Sequence, residues 1–140
     1  MRHFLLAAGL SLAATSSAHT ADPIEGDWLT QGGSGKVRIA PCPGRSERLC
    51  GTLFWVKNPA DARALDSNNP DARLKTRPIL GLPMIRDFKS QTAGRWAGGK
   101  IYDPDSGKTY DSKLSVNGNG TLKVEGCILM ICRAQTWRRG

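Results

Sequence analysis

The chain has 140 residues, which suits one domain with a real but modest core. It carries 20 Lys plus Arg against 12 Asp plus Glu, a formal net charge of +8, and only two histidines. That balance draws a protein toward acidic surfaces. The scarcity of histidine excludes a triad, a metal centre or a general base built on that side chain.

Met1, Arg2 and His3 form a basic start, Phe4 to Ala14 an apolar run broken only by Gly9 and Ser11, and Thr15-Ser16-Ser17-Ala18 a small-residue stretch. This is the order of a secretory signal peptide, with cleavage after Ala18. A cut after Ala21 would put His19 where a small residue is wanted. The rival reading, a membrane anchor, needs about 20 apolar residues, and this run is shorter. No lipidation cysteine follows. The expected division is a signal peptide over 1–18 and one domain over 19–140, periplasmic or secreted, with no transmembrane anchor in the mature protein.

The remaining sequence alternates apolar and polar residues in short runs between glycine-rich turns, with no long helical period. Strands are predicted at Glu25–Gln31, Lys36–Pro41, Leu49–Val56, Pro83–Phe88, Gly94–Asp103, Lys108–Val116, Thr121–Gly126 and Cys132–Arg139. Val37 and Ile39 oppose Lys36 and Arg38, and Leu122 and Val124 oppose Thr121, Lys123 and Glu125. One dry and one wet face is the pattern of an antiparallel sheet. Gln31 to Gly35, Asp103 to Gly107 and Asn117-Gly118-Asn119-Gly120 supply the turns.

Lys57 to Leu82 is too long for a structureless loop in a compact domain. It contains Asn58-Pro59-Ala60-Asp61 and Asn69-Pro70-Asp71, each readable as an Asn cap, a proline at the first helical position and an acid in the first turn. One or two short helical turns are expected here. The fold read from these elements is all-β: a closed eight-stranded antiparallel meander barrel, with a short helical insertion between the third and fourth strands. Closure removes the sheet edges. A sandwich is the alternative.

Cys42, Cys50, Cys127 and Cys132 allow three pairings. Cys42–Cys50 and Cys127–Cys132 are favoured because each closes one local turn, contributing about 2–3 kcal/mol in the loop-entropy model. A four-cysteine zinc site is disfavoured by the lack of C-x-x-C knuckles.

The segments Gly81-Leu82-Pro83, Trp96 to Pro104, Ser106 to Tyr110 and Gln135-Thr136-Trp137 resemble the exported bacterial family catalogued as domain of unknown function 2147. That resemblance implies fold and compartment and no activity. Gly26-Asp27-Trp28 also resembles the Gly-x-Trp opening of lipocalin-type barrels. This second resemblance implies a closed, calycin-like barrel with a basic residue of the last strand over the tryptophan, Arg138 or Arg139 being the counterpart.

No nucleophile elbow, phosphate loop or metalloprotease helix motif is present, and no cofactor is expected. Asp103 and Asp105 bracket Pro104 and could do acid–base work as a hydrolase or isomerase, but a self-bonded turn explains them better. Asp66, Asn68, Asn69 and Asp71 are oxygen-rich enough for calcium but lack its loop pattern. The aromatic residues are the more informative set. Alternation places Trp96 and Tyr102 on one face, and Arg133, Gln135 and Trp137 on one face of the last strand. The candidate ligand-binding residues are therefore Trp55, Trp96, Tyr102, Tyr110, Arg133, Gln135 and Trp137. The alternative is that they form an ordinary core.

The function expected is a binding module for a small apolar or amphipathic ligand. The alternative is an interaction protein whose basic face or insertion meets an anionic envelope surface or a protein partner. No nucleic-acid motif accompanies the scattered basic residues. N-terminal sequencing of the exported protein should begin at His19; an intact Met1 would show that the leader is retained.

Overall fold

The computed structural model describes residues 8–14 and 20–140. Most of the expected signal peptide, and the cut after Ala18, lie outside the described residues. No helix among the described residues is long and apolar enough to cross a membrane.

The strands are β1 (Gly26–Leu29), β2 (Gly35–Cys42), β3 (Arg45–Val56), β4 (Pro83–Thr92), β5 (Arg95–Asp103), β6 (Lys108–Val116), β7 (Leu122–Ile128) and β8 (Ile131–Arg139). They form a closed barrel in chain order, each strand antiparallel to the next and β8 returning to β1. This is the eight-stranded meander that the alternation predicts. Two ends differ. Thr30 turns back at once, its N–H and hydroxyl both reaching the Gly35 carbonyl, so β1 stops at Leu29. β3 starts at Arg45, because Cys42 pairs with Arg45 across a tight turn and the Cys42–Cys50 disulfide clamps that hairpin. The second disulfide, Cys127–Cys132, clamps the β7–β8 hairpin.

The insertion is less helical than its caps suggest. It holds two single 3-10 turns, Asp61–Arg63 and Ala72–Leu74. The residue before the first is Ala60, with no side-chain cap, while Asn58 Oδ1 accepts from Ala60 N–H one step earlier. The second is capped by Asp71, which accepts from Arg73 N–H, and Asn69 instead turns its amide inward to Asp66. The chain is already extended at Ala64, directly after the first turn, so that turn cannot lengthen into a helix. A bridge between Leu65 and Pro78 folds the insertion back on itself.

Alternation also fails once in β5. Gly98 sits at positive φ, 68°, and the register to β6 shifts between Trp96 and Gly99. This bulge inverts the parity beyond it. Trp96 and Gly99 face in, as do Ile101 and its partner Tyr110, whereas Tyr102 pairs with Thr109 on the outer face. Trp96 and Tyr102 therefore do not share a face. Gly99 is itself required by packing, since a Cβ there would lie 2.3 Å from the Phe88 ring.

The core fills one half of the barrel. Ile24, Trp28, Val37, Ile39, Leu49, Ile85, Phe88, Leu114, Leu122, Val124 and Trp137 are essentially inaccessible. Each such side chain contributes about 1.5–3 kcal/mol when fully buried. Ile24 enters below the first strand, and its carbonyl accepts from Trp28 Nε1 at 2.7 Å.

The seam is narrow. β1 and β8 share two residue pairs, Trp28 with Arg139 and Leu29 with Arg138. Arg139 reinforces it: its guanidinium lies 3.9 Å from the centre of the Trp28 ring, Nη1 donates to Glu25 O at 2.8 Å, and Nη2 donates to Pro23 O. Gly26 makes room for this arm. It has φ of 121°, and a Cβ there would stand 2.7 Å from Nη1. The arginine over the Gly-x-Trp tryptophan is therefore Arg139 and not Arg138. Replacing Arg139 with Ala removes a cation–π contact and two charge-assisted bonds, and should lower the urea-unfolding free energy by about 1–3 kcal/mol. Arg138→Ala should leave it within about 0.5 kcal/mol of the parent.

Candidate functional site

The other half of the barrel is not filled. β1 ends before it reaches this level, so Ile131 to Gln135 of β8 have β7 as their ladder neighbour and no strand on the far side. Among the described residues the Gln31 side chain reaches across, accepting from Thr136 N–H at 2.9 Å. Gly126, Ile128, Ile131, Arg133 and Gln135 point inward in the β7–β8 register, set by the buried pair Leu122 and Trp137. They wall a cleft of about 560 Å³, completed by Met84, Ile101, Tyr110, Val124, Leu129 and the borders of Tyr102 and Asp103.

The lining is mainly aliphatic, with a few polar groups. Gln135 Oε1 accepts from Trp137 Nε1 at 3.1 Å, so the carboxamide is held by the tryptophan beneath it. Arg133 is exposed and, among the described residues, forms no hydrogen bond or ion pair. Asp103 spends its carboxylate on its own turn: Oδ1 accepts from Asp105 N–H and Oδ2 from Ser106 Oγ–H. The Asp103–Asp105 pair is thus built as an Asx turn. Gly126 leaves its part of the wall without a side chain, and a Cβ there would meet Tyr110 and Ile101 at ordinary contact distance, so a larger residue can be placed there.

The candidate residues separate by position. Tyr110, Arg133 and Gln135 line the cleft, and Trp137 lies under it. Tyr102 borders it with its hydroxyl directed outward to the insertion. Trp96 stands at the opposite end, beside a hollow of about 510 Å³ with Pro23, Pro41 and Leu49, and its indole N–H is buried without a partner among the described residues. Trp55 is on the outer surface, 38% exposed, with the Lys36 ammonium 4.9 Å from its ring. The aliphatic wall of Met84, Ile101, Val124, Ile128, Leu129 and Ile131 is absent from the aromatic selection. The alternation of β7 carried that signal.

Against the outer face of β5, the insertion buries a polar cluster. Asp66 is fully buried. It accepts from Tyr102 Oη at 2.6 Å, Asn69 Nδ2 at 2.9 Å and Arg77 Nε at 2.9 Å. Its oxygens are therefore engaged, which removes it from any calcium set with Asn68, Asn69 and Asp71. Burial alone would raise the Asp66 carboxyl, but the bonds from Tyr102, Asn69 and Arg77 outweigh it and hold the group below its ordinary value. Burial, and then the bond to Asp66, push the Tyr102 hydroxyl up to about 12.

Both shifts have a pH signature. The Asp66 contribution is complete above the unfolded carboxylate range near pH 4 and is lost as pH falls through the lower folded value. The Tyr102 contribution is complete below about pH 10 and is lost as pH rises toward about 12. Ultraviolet titration should show a phenolate forming near pH 12 that disappears in Tyr102→Phe. Asp66→Ala strands Arg77 and should cost about 3 kcal/mol in urea unfolding.

Three comparisons bear on this architecture. No curated protein matches the chain. Among solved structures it is similar to one described as "Protein HP1028 from the human pathogen Helicobacter pylori belongs to the lipocalin family", with 22% identity, a TM-score of 0.74, and coverage of 84% of this chain and 82% of that one. The likeness is one of fold, and it makes this barrel lipocalin-like. A family model described as "Uncharacterized protein conserved in bacteria (DUF2147)" matches residues 26–139, from the glycine of the first strand to the arginine that closes the seam. The chain belongs to that family.

Proposed function

We propose that this protein is a binding module that holds a small apolar or amphipathic molecule in the cleft between β5, β6, β7 and β8. The observation that carries this reading is the unfilled aliphatic cleft of about 560 Å³ with one unpaired cation, Arg133, at its wall. Binding sites of this class are largely apolar concavities of about 300–1,000 Å³ with a few polar groups that fix orientation. The cavity would take a hydrocarbon segment against Ile101, Val124 and Ile128, and an anionic head group would pair with Arg133. The lipocalin-like fold supports the reading, since eight-stranded barrels can hold one small ligand. Export is part of the same proposal: two local disulfides suit an oxidising compartment.

The test uses 1-anilinonaphthalene-8-sulfonate, an anionic amphiphile whose fluorescence rises in apolar sites. The parent should enhance its emission, and dodecanoate should displace it. Gly126→Leu should fill the cleft and weaken dye binding by roughly tenfold or more, which is about 1.4 kcal/mol, without loss of stability. Arg133→Gln should weaken the anionic dye and leave an uncharged analogue unchanged. Equal dye binding by the parent and Gly126→Leu would refute the proposal.

A further inference from the structure

The tip of the β7–β8 hairpin is the least explained part of the surface. Ile128, Leu129, Met130 and Ile131 are 60%, 91%, 96% and 76% exposed, and they follow one another without a polar side chain. Exposed apolar residues scattered singly are normal on a protein surface; a contiguous run at a protruding tip marks a contact site. Cys127 and Cys132, directly opposite in the ladder and joined by a disulfide, hold this run closed.

We propose that this disulfide-clamped tip inserts into the interfacial layer of an anionic lipid bilayer. Three observations select a bilayer as the occupant. The first is the backbone. Hydrocarbon cannot satisfy exposed peptide groups; here Ile128 pairs with Ile131 as Cys127 does with Cys132, so the tip is a paired hairpin end, and the turn peptides of Leu129 and Met130 and the open β8 flank suit the hydrated interfacial layer, with only the apolar side chains entering the hydrocarbon. The second is charge. Without Arg2 of the expected leader the chain keeps 19 Lys plus Arg against 12 Asp plus Glu, a net charge of +7, Arg133 follows Cys132 directly, and Lys108 is exposed three residues before Asp111, the ladder partner of Cys127. Cations at this level are drawn to anionic lipid head groups. Asp105 is exposed on the neighbouring turn, and Asp103 is engaged in it. The third is continuity with the cleft: Ile128, Leu129 and Ile131 are also part of its wall. An amphiphile leaving the bilayer along the tip would pass into the barrel with little exposure to water.

A second copy of the chain fits less well. A stable dimer needs about 800 Å² from each partner, and four side chains on one hairpin tip fall short of that. Docking rests on the reading of the cleft only for the direction of delivery, so the two can fail separately.

The experiment is co-sedimentation of the full mature chain with phosphatidylcholine vesicles and with phosphatidylcholine–phosphatidylglycerol vesicles. The parent should sediment with the anionic vesicles and much less with the neutral ones, and salt should weaken the binding. The double variant Leu129→Ser, Met130→Ser changes two exposed side chains and should keep its near-ultraviolet circular dichroism while losing roughly tenfold or more in vesicle affinity. Met130→Trp should bind with an emission shifted to the blue. Gly126→Leu, with its cleft filled, should dock like the parent even if dye binding is lost. The proposal is overturned if the parent ignores anionic vesicles, or if the double serine variant binds them equally, which would leave charge alone. Loss of docking in Gly126→Leu would move the contact to the cleft. A concentration-dependent dimer abolished by the serine pair would assign the tip to a second copy.

Discussion

The barrel depends on how its two ends are joined. A meander brings its last strand beside its first only if something outweighs the entropy of closing the longest loop in the chain. Here the ladder itself offers two residue pairs. The Arg139 guanidinium supplies the remainder by stacking on Trp28 while holding the carbonyls of Pro23 and Glu25. One side chain thus ties together the first strand, the last strand and the segment that carries Ile24 into the barrel floor. Gly26 is the steric counterpart of that arrangement, and the match between the family model and residues 26–139 spans both partners.

The short seam also explains why the site lies where it does. Because β1 turns away at Leu29, the lower half of the barrel is sealed and packed, and the upper half keeps an unpaired strand flank. The same β8 contributes Trp137 to the core and Arg133 and Gln135, four and two residues before it on one face, to the cleft. Core and cleft are successive levels of one inner surface. The insertion does not cap this opening. It is held to the outer face through Tyr102 and Asp66, and Asn68 Nδ2 donates to the carbonyls of Pro104 and Asp105.

Much of this was legible in the order of residues. Period-two alternation and the Asn-Gly and Asp-Pro turns give the strand number and the meander, and the local cysteine spacing gives both disulfides. The inward face of β8 was also legible, because no bulge interrupts Arg133, Gln135 and Trp137. Parity failed in β5, where the glycine pair Gly98-Gly99 hides a bulge and sends Tyr102 outward. Trp55 was hidden by a second bulge, since the β2–β3 register shifts between Lys36 and Val37 and sets Trp55 opposite the outward Lys36 although Leu53 faces in, whereas the position of Trp96 depended on which level the core reached, which is not a local property. The hairpin tip escaped notice for a related reason. An apolar run between two cysteines looks like core until the register shows that it projects past the end of the sheet.

The lateral opening along β8 has a consequence for selectivity. A pocket closed at its floor and reached only from above acts as a ruler, since a ligand longer than its depth cannot be enclosed. This cavity has a solid floor at Trp137 but lacks a full side wall beside Ile131 to Gln135. On the proposed reading it would gauge the girth of a guest and its charge near Arg133, and would let a surplus length trail out sideways. Homologous chains of different carbon number would then be held alike, whereas a guest too bulky in cross-section would be turned away.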